Sequence, residues 1–149
     1  MITDNLKLKG RVALELRGKD GQVKETREID NLVVDAGLDF IASRMAGVSK
    51  DVMSHMALGS GTTAAAANDT DLESLLGSRE ALDSTTVTDN TVVYVSSFEA
   101  GDATGAVTEA GIFNAATAGD MLCRTVFSVV NKAADDTLSV TWTITISAS

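Results

Sequence analysis

No proline occurs anywhere in this chain, there is one cysteine and one histidine, and aromatic residues make up only 4%. Without proline, every turn falls to glycine, asparagine and aspartate. A lone Cys123 excludes an intrachain disulfide, and with His55 as the only imidazole it also excludes a zinc ribbon or a His-Glu-x-x-His site. Cys123 sits in the apolar run from Met121 to Val130, which reads as a buried, inert thiol. The scarcity of aromatics leaves the core to valine, leucine, isoleucine, methionine and alanine. No stretch of 18 apolar residues appears, and the start Met1-Ile-Thr-Asp-Asn-Leu-Lys7 lacks a signal-peptide core. These absences point to a soluble product made in a reducing cytosol. At 149 residues the chain fits one domain that buries about 70% of its unfolded surface.

Charge is unevenly spread. Residues 1–50 carry 9 Lys and Arg against 8 Asp and Glu, whereas residues 51–149 carry 3 against 13. An acidic body argues against nucleic acid, whose phosphates need clustered cations. The one basic cluster is Lys7, Lys9, Arg11, Arg17, Lys19, Lys24 and Arg27, diluted by Glu15, Glu25 and Glu28. It reads first as the solvated faces of a hairpin.

What the chain does have is strand pattern. From Thr137 to Ser147, Leu138, Val140, Trp142, Ile144 and Ile146 alternate without error with serine and threonine. That period of two predicts one buried and one hydroxyl-rich face. Leu6 to Leu16 alternates with Gly10 as the one gap in its apolar face, Asp20-Gly21 marks a hairpin turn, and the polar return strand from Val23 to about Ile29 suits a sheet edge. A helix is expected between an Asp35 N-cap and a Gly47 terminator, burying Leu38, Ile41, Ala42 and Met45, with Phe40 extending that face. A strand over Met53–Leu58 follows. Thr70-Asp-Leu-Glu73 resembles a capping box opening a helical turn through Leu76. Further strands are expected over Arg79–Thr88, Thr91–Glu99, Ala106–Asn114 and Met121–Val130. The fold class is therefore mainly β: an antiparallel β-sandwich of about seven to eight strands with one packed α-helix. Residues 1–149 form a single domain, with 1–29 as an N-terminal β-hairpin able to act as an assembly arm.

The inventory for chemistry is thin. A Ser-His-Asp triad would have to run through His55, and no Gly-x-Ser-x-Gly elbow presents a serine. Gly59-Ser-Gly61 lacks the lysine and spacing of a phosphate loop. Asn68, Asp69 and Asp71 offer oxygens for a weak calcium site, but helix capping explains this stretch with fewer assumptions. Glu99 and Glu109 form a carboxylate pair without an aromatic sugar platform. Glu109 is more informative beside Arg124. A carboxylate followed by Ala-Gly inside a strand suggests a bulge, and Arg124 on the next strand would be its structural partner. No catalytic residue, cofactor or metal is expected.

The order of motifs carries one resemblance. Asn31-Leu-Val-Val-Asp-Ala-Gly37, Met56-Ala-Leu-Gly-Ser-Gly-Thr62, Asp69-Thr-Asp-Leu72 and Arg79 come first. Thr108-Glu-Ala-Gly-Ile-Phe113, Met121-Leu-Cys-Arg-Thr-Val-Phe127 and Thr141-Trp-Thr-Ile144 follow. From about residue 30 onward this series resembles small virion structural proteins of tailed bacteriophages and the N-terminal domain of tail-collar fibre proteins. The resemblance implies a non-enzymatic particle component, made in the host bacterial cytoplasm and assembled into the virion in symmetric copies, a trimer being one such form. Because the chain carries no fibre shaft, a capsid decoration (cement) protein is expected first. A tail or collar-fibre adaptor is the alternative. Its partners would be the phage major capsid protein and copies of itself, with neither nucleic acid nor membrane involved. Lys7, Lys9, Arg11, Arg17 and Lys19 are the candidate assembly contacts. A small carbohydrate-binding sandwich module is a third reading, for which exposed aromatics would be required.

Overall fold

A computed structural model describes residues 5–148. The long alternating segments pair as their periodicity dictates. β1 (Leu6–Arg17) runs between β2 (Val23–Asp30) and β10 (Thr137–Ala148), while β7 (Thr91–Phe98) and β6 (Ser84–Thr88) complete a sheet in the order β2-β1-β10-β7-β6. The second sheet has the order β3-β9-β8-β4-β5. Its strands are β3 (Leu32–Val33), β9 (Met121–Lys132), β8 (Gly105–Phe113), β4 (His55–Gly59) and β5 (Glu80–Ala81). All pairings are antiparallel. The fold is thus the expected mainly β antiparallel sandwich with one helix, α1 (Asp35–Met45). Among the described residues no helix is long and apolar enough to cross a membrane.

The alternation of β10 does what a period of two requires. Leu138, Val140, Trp142 and Ile144 are buried beside Val12, Leu14 and Leu16 of β1 and Phe98 of β7, facing Met56, Leu58, Val107 and Ile112 of the second sheet. β8 shows no alternation, because both its faces are covered. One side meets this central core, while Phe113 on the other packs with Val34, Ala57, Leu72 and Met121. A strand covered on both sides loses the sequence signature of a half-buried one.

Four expectations change. Among the described residues the strands number ten, since Arg79–Thr88 divides into β5 and β6, which belong to different sheets, with the chain crossing at Leu82-Asp83, and since the short β3 adds another. The N-cap of α1 is Val34, with no side-chain cap, and Asp35 is the first helical residue. Gly47 does end the helix, at φ +67° with Val48 N–H donating to the Ser43 carbonyl. The helix buries Gly37 and Phe40, and leaves Leu38 and Met45 exposed. The reason is close approach: a Cβ on Gly37 would lie 2.1 Å from the Leu122 carbonyl oxygen, so only glycine lets the helix rest on β9. No helical turn follows Thr70. Residues 70–79 instead run as bends, with an isolated bridge between Gly59 and Leu75.

The N-terminal hairpin is also not an appendage. β1 pairs with β10 from Leu6↔Ala148 to Arg17↔Thr137, and Val12, Leu14 and Leu16 are core residues. The hairpin expected within 1–29 is formed by β1 and β2, the first an interior strand of its sheet and the second an edge strand. Residues 1–4 of that span lie outside the described residues.

Candidate functional site

The most highly organised polar site centres on Glu109, which is fully buried on the face of β8 away from the central core. Its Oε1 accepts from Glu73 N–H at 2.9 Å and from Arg124 Nε at 3.1 Å. Its Oε2 accepts from Gly61 N–H at 2.7 Å and Ser74 N–H at 2.8 Å. Arg124 then extends the network, donating to Asp69 Oδ2 at 2.8 Å and to the Thr63 carbonyl at 3.0 Å. Register explains the geometry. Arg124 stands opposite Gly111 and Glu109 opposite Val126, so the pair is diagonal. The ladder is regular from Glu109 through Ile112, and its shift falls before Glu109, where β9 passes from Val130 to Val126, so the bulge expected at Glu109-Ala-Gly is not where the irregularity lies.

A buried charge persists only when its partners are complete. Here each Glu109 oxygen has two donors, and the guanidinium is shared between two carboxylates and a carbonyl. Burial disfavours the Arg124 cation, but its hydrogen bonds to Asp69 and Glu109 outweigh that and hold its pKa above the usual value. Asp69 is likewise opposed by burial, yet Ala66 N–H and Arg124 bring its carboxyl below the ordinary range. Gly59 and Gly61 are small for this reason. A Cβ on either would approach Glu109 Oε2 to 2.6 Å or 2.3 Å. Carboxylate, arginine and glycines together bind the segment 60–75 against the sheet.

The acidic side chains of the same segment hold local backbone and arginine groups. Asp69 serves Ala66 N–H and Arg124, Asp71 serves Leu72 N–H and Arg79, and Glu73 receives Thr62 N–H. Among the described residues no group of three acidic, His or Cys side chains could hold a metal ion. Arg79 stacks 3.5 Å from the Phe113 ring centre and donates to the carbonyls of Ala115 and Ala118, clamping the β8–β9 turn. His55 Nδ1 lies 2.7 Å from Ser54 Oγ. Cys123 is buried, and burial pushes its thiol well above the normal pKa, consistent with an inert side chain. Lys132 was not singled out by pattern. It is buried, its pKa lowered by desolvation, and its Nζ donates to the Glu99 carbonyl at 2.9 Å.

The basic cluster is placed differently. Lys7, Lys9, Arg11 and Arg17 occupy alternate positions of β1 and share its outer face, whereas Lys19 sits in the following turn. Arg11 is bonded to Glu28 at 2.6 Å and Arg17 to Glu15 at 2.6 Å, so these two charges are locally neutralised. Lys9 and Arg11 border a shallow groove of about 360 Å3 floored by Ala13 and bounded by Thr141, Thr143 and Thr145 of β10. Ala13 makes the depression because it is the short side chain between Arg11 and Glu15. Register carries the hydroxyl surface onward, with Thr145 opposite Thr91 and Ser139 opposite Ser97. The large aromatics stay inside: Trp142, Phe98 and Phe113 are fully buried, and Tyr94 is nearly so.

No protein family, curated protein or solved structure was found to match this chain.

Proposed function

We propose that this chain is a non-enzymatic structural component of a bacteriophage virion, a capsid decoration protein that binds the assembled shell together with its own copies. The observation that carries the reading is the outer face of the β2-β1-β10-β7-β6 sheet. There, rows of serine and threonine adjoin Lys7 and Lys9, a broad surface suited to contact and equipped with no reactive group. Hydroxyls keep such a face soluble before assembly and supply donors and acceptors afterwards. Polar groups elsewhere are spent on structure, as at Glu109, Arg124 and Arg79. Many copies with weak individual contacts attach firmly through avidity, and binding only the assembled lattice shifts the equilibrium towards the shell. The burial of the aromatics gives no support to the carbohydrate-binding reading.

The test is stoichiometry. Purified virions should contain this chain in numbers comparable with the major capsid protein. A ratio of a few copies per particle would move the assignment to the tail or collar, and absence from the particle would end the virion reading.

A further inference from the structure

β6 is an edge strand that the protein leaves unguarded. Its sequence, Ser84-Thr-Thr-Val-Thr88, has no charge, and all five residues are exposed. The opposite edge of the same sheet, β2, carries Lys24, Glu25, Arg27, Glu28 and Asp30, the usual protection of an edge against added strands. Arg27 also closes that side by donating to the carbonyls of Ser128 and Val129 on β9. Thr88 and Thr91 close a two-residue turn through Asp89 and Asn90. The alternation of an antiparallel ladder then directs the backbone N–H and C=O of Thr85 and Val87 away from β7, to the free edge.

Beneath that edge lies an apolar groove of about 290 Å3, walled by Phe40, Arg44, Val52, Met53, Val87 and Tyr94. Val52 and Val87 are 59% and 69% exposed, so the groove opens to solvent beside the free edge. Asp83 and Asp89, both exposed, bracket β6 at its two ends. Of the nearby cations, Lys50 is paired with Asp120, while Arg44, on the groove wall, donates to the Lys50 carbonyl and keeps its charge.

We propose that β6 and this groove accept an extended segment of a basic partner protein, which adds a sixth strand antiparallel to β6. Its backbone bonds to Thr85 and Val87, alternate apolar side chains fill the groove, and flanking lysines or arginines meet Asp83 and Asp89. A second copy of this chain is the poorer occupant. Two-fold pairing about Thr86 would set Asp83 of each copy against Asp89 of the other, between molecules of net charge −9. The proposal does not depend on the virion reading.

The experiment uses the full chain and the synthetic peptide Lys-Lys-Val-Thr-Val-Thr-Val-Lys-Lys, with a control of equal charge whose central valine is proline. Titration should show one peptide per chain, weakening about tenfold between roughly 0.05 M and 0.5 M salt. Amide exchange at Thr85 and Val87 should slow on binding. Val87→Pro removes an outward N–H and leaves the β7 ladder intact, and it should weaken binding about tenfold or more. Val87→Lys, which keeps every backbone bond, should also weaken it by charge repulsion. Absence of binding, or equal binding of the proline peptide, would overturn the proposal. So would a peptide-free dimer, strengthened by salt, in which Thr85 and Val87 are already protected.

Discussion

Two neighbouring stretches of this chain, 60–75 and 84–88, reverse the expectation attached to loops and strands. The first has almost no regular structure, yet Gly61, Glu73 and Ser74 donate backbone N–H groups to one buried carboxylate, and Leu72 is sunk into a core cluster. The second is a regular strand whose five side chains are all exposed and whose outer edge has no partner strand among the described residues. Fixity here follows from satisfied buried charge and from burial, not from secondary structure. The irregular segment completes the fold, and the strand is left available.

The strongest way to break this contrast is to remove the charge that holds the first stretch. Glu109→Gln should destabilise the protein by about 3–5 kcal/mol in chemical denaturation, because Arg124 is left as a buried cation short of a partner. Amide exchange at Gly61, Glu73 and Ser74 should accelerate while β6 is unchanged. Arg124→Met should be similarly damaging, and the double variant less so than the sum, since each single change already breaks the same network.

Gly37→Ala tests a different close contact, where helix α1 meets β9. The added methyl would clash with the Leu122 carbonyl, and overpacking of this kind costs about 1–3 kcal/mol. A shift in denaturation midpoint with unchanged slope would report it.

Acid should loosen the first stretch before the second. Burial opposes ionisation of Asp69, but Ala66 N–H and Arg124 leave its pKa lowered, and Asp136 is lowered by Lys24 and by Ala133 N–H. A carboxyl whose pKa falls on folding stabilises the protein above its unfolded value of about 3.9, and that contribution disappears as pH drops through the folded value. Stability should therefore be level from neutral pH to about 5 and decline below about 4. A thermal midpoint unchanged down to pH 2.5 or so would deny these two carboxylates that role.

The smallest effect belongs to β6. Val87→Lys should change stability by no more than about 0.5 kcal/mol, since the side chain stands in solvent. A larger loss in the isolated protein would mean that Val87 is part of the core after all.

Much of the first sheet was legible because one face of its long strands β1 and β10 is buried and the other wet. β1 and β10 alternate for that reason, and the polar character of β2 announced an edge. The diagonal meeting of Glu109 and Arg124 was traceable to an isolated arginine in an apolar strand next to a strand carrying a lone carboxylate, although the bulge read at Glu109-Ala-Gly is absent there. What escaped was tertiary override of local pattern. Leu38, Ile41, Ala42 and Met45 have helical spacing, but the close approach at Gly37 rotates the buried face, so that Ile41 and Phe40 pack inward while Leu38, Ala42 and Met45 are exposed. Thr70 and Glu73 have capping-box spacing, yet Glu73 N–H is taken by Glu109 and Glu73 Oε1 by Thr62 N–H, so no helix begins. Arg79–Thr88 reads as one strand, and only the two sheets it serves divide it.

Native-state amide exchange on the intact protein puts the contrast to its most direct trial. The amides of Gly61, Glu73 and Ser74 should exchange slowly, near the rate of the β10 core, while those of Thr85 and Val87 exchange fast. Rapid exchange throughout 60–75, with Thr85 and Val87 protected in the isolated monomer, would contradict the account.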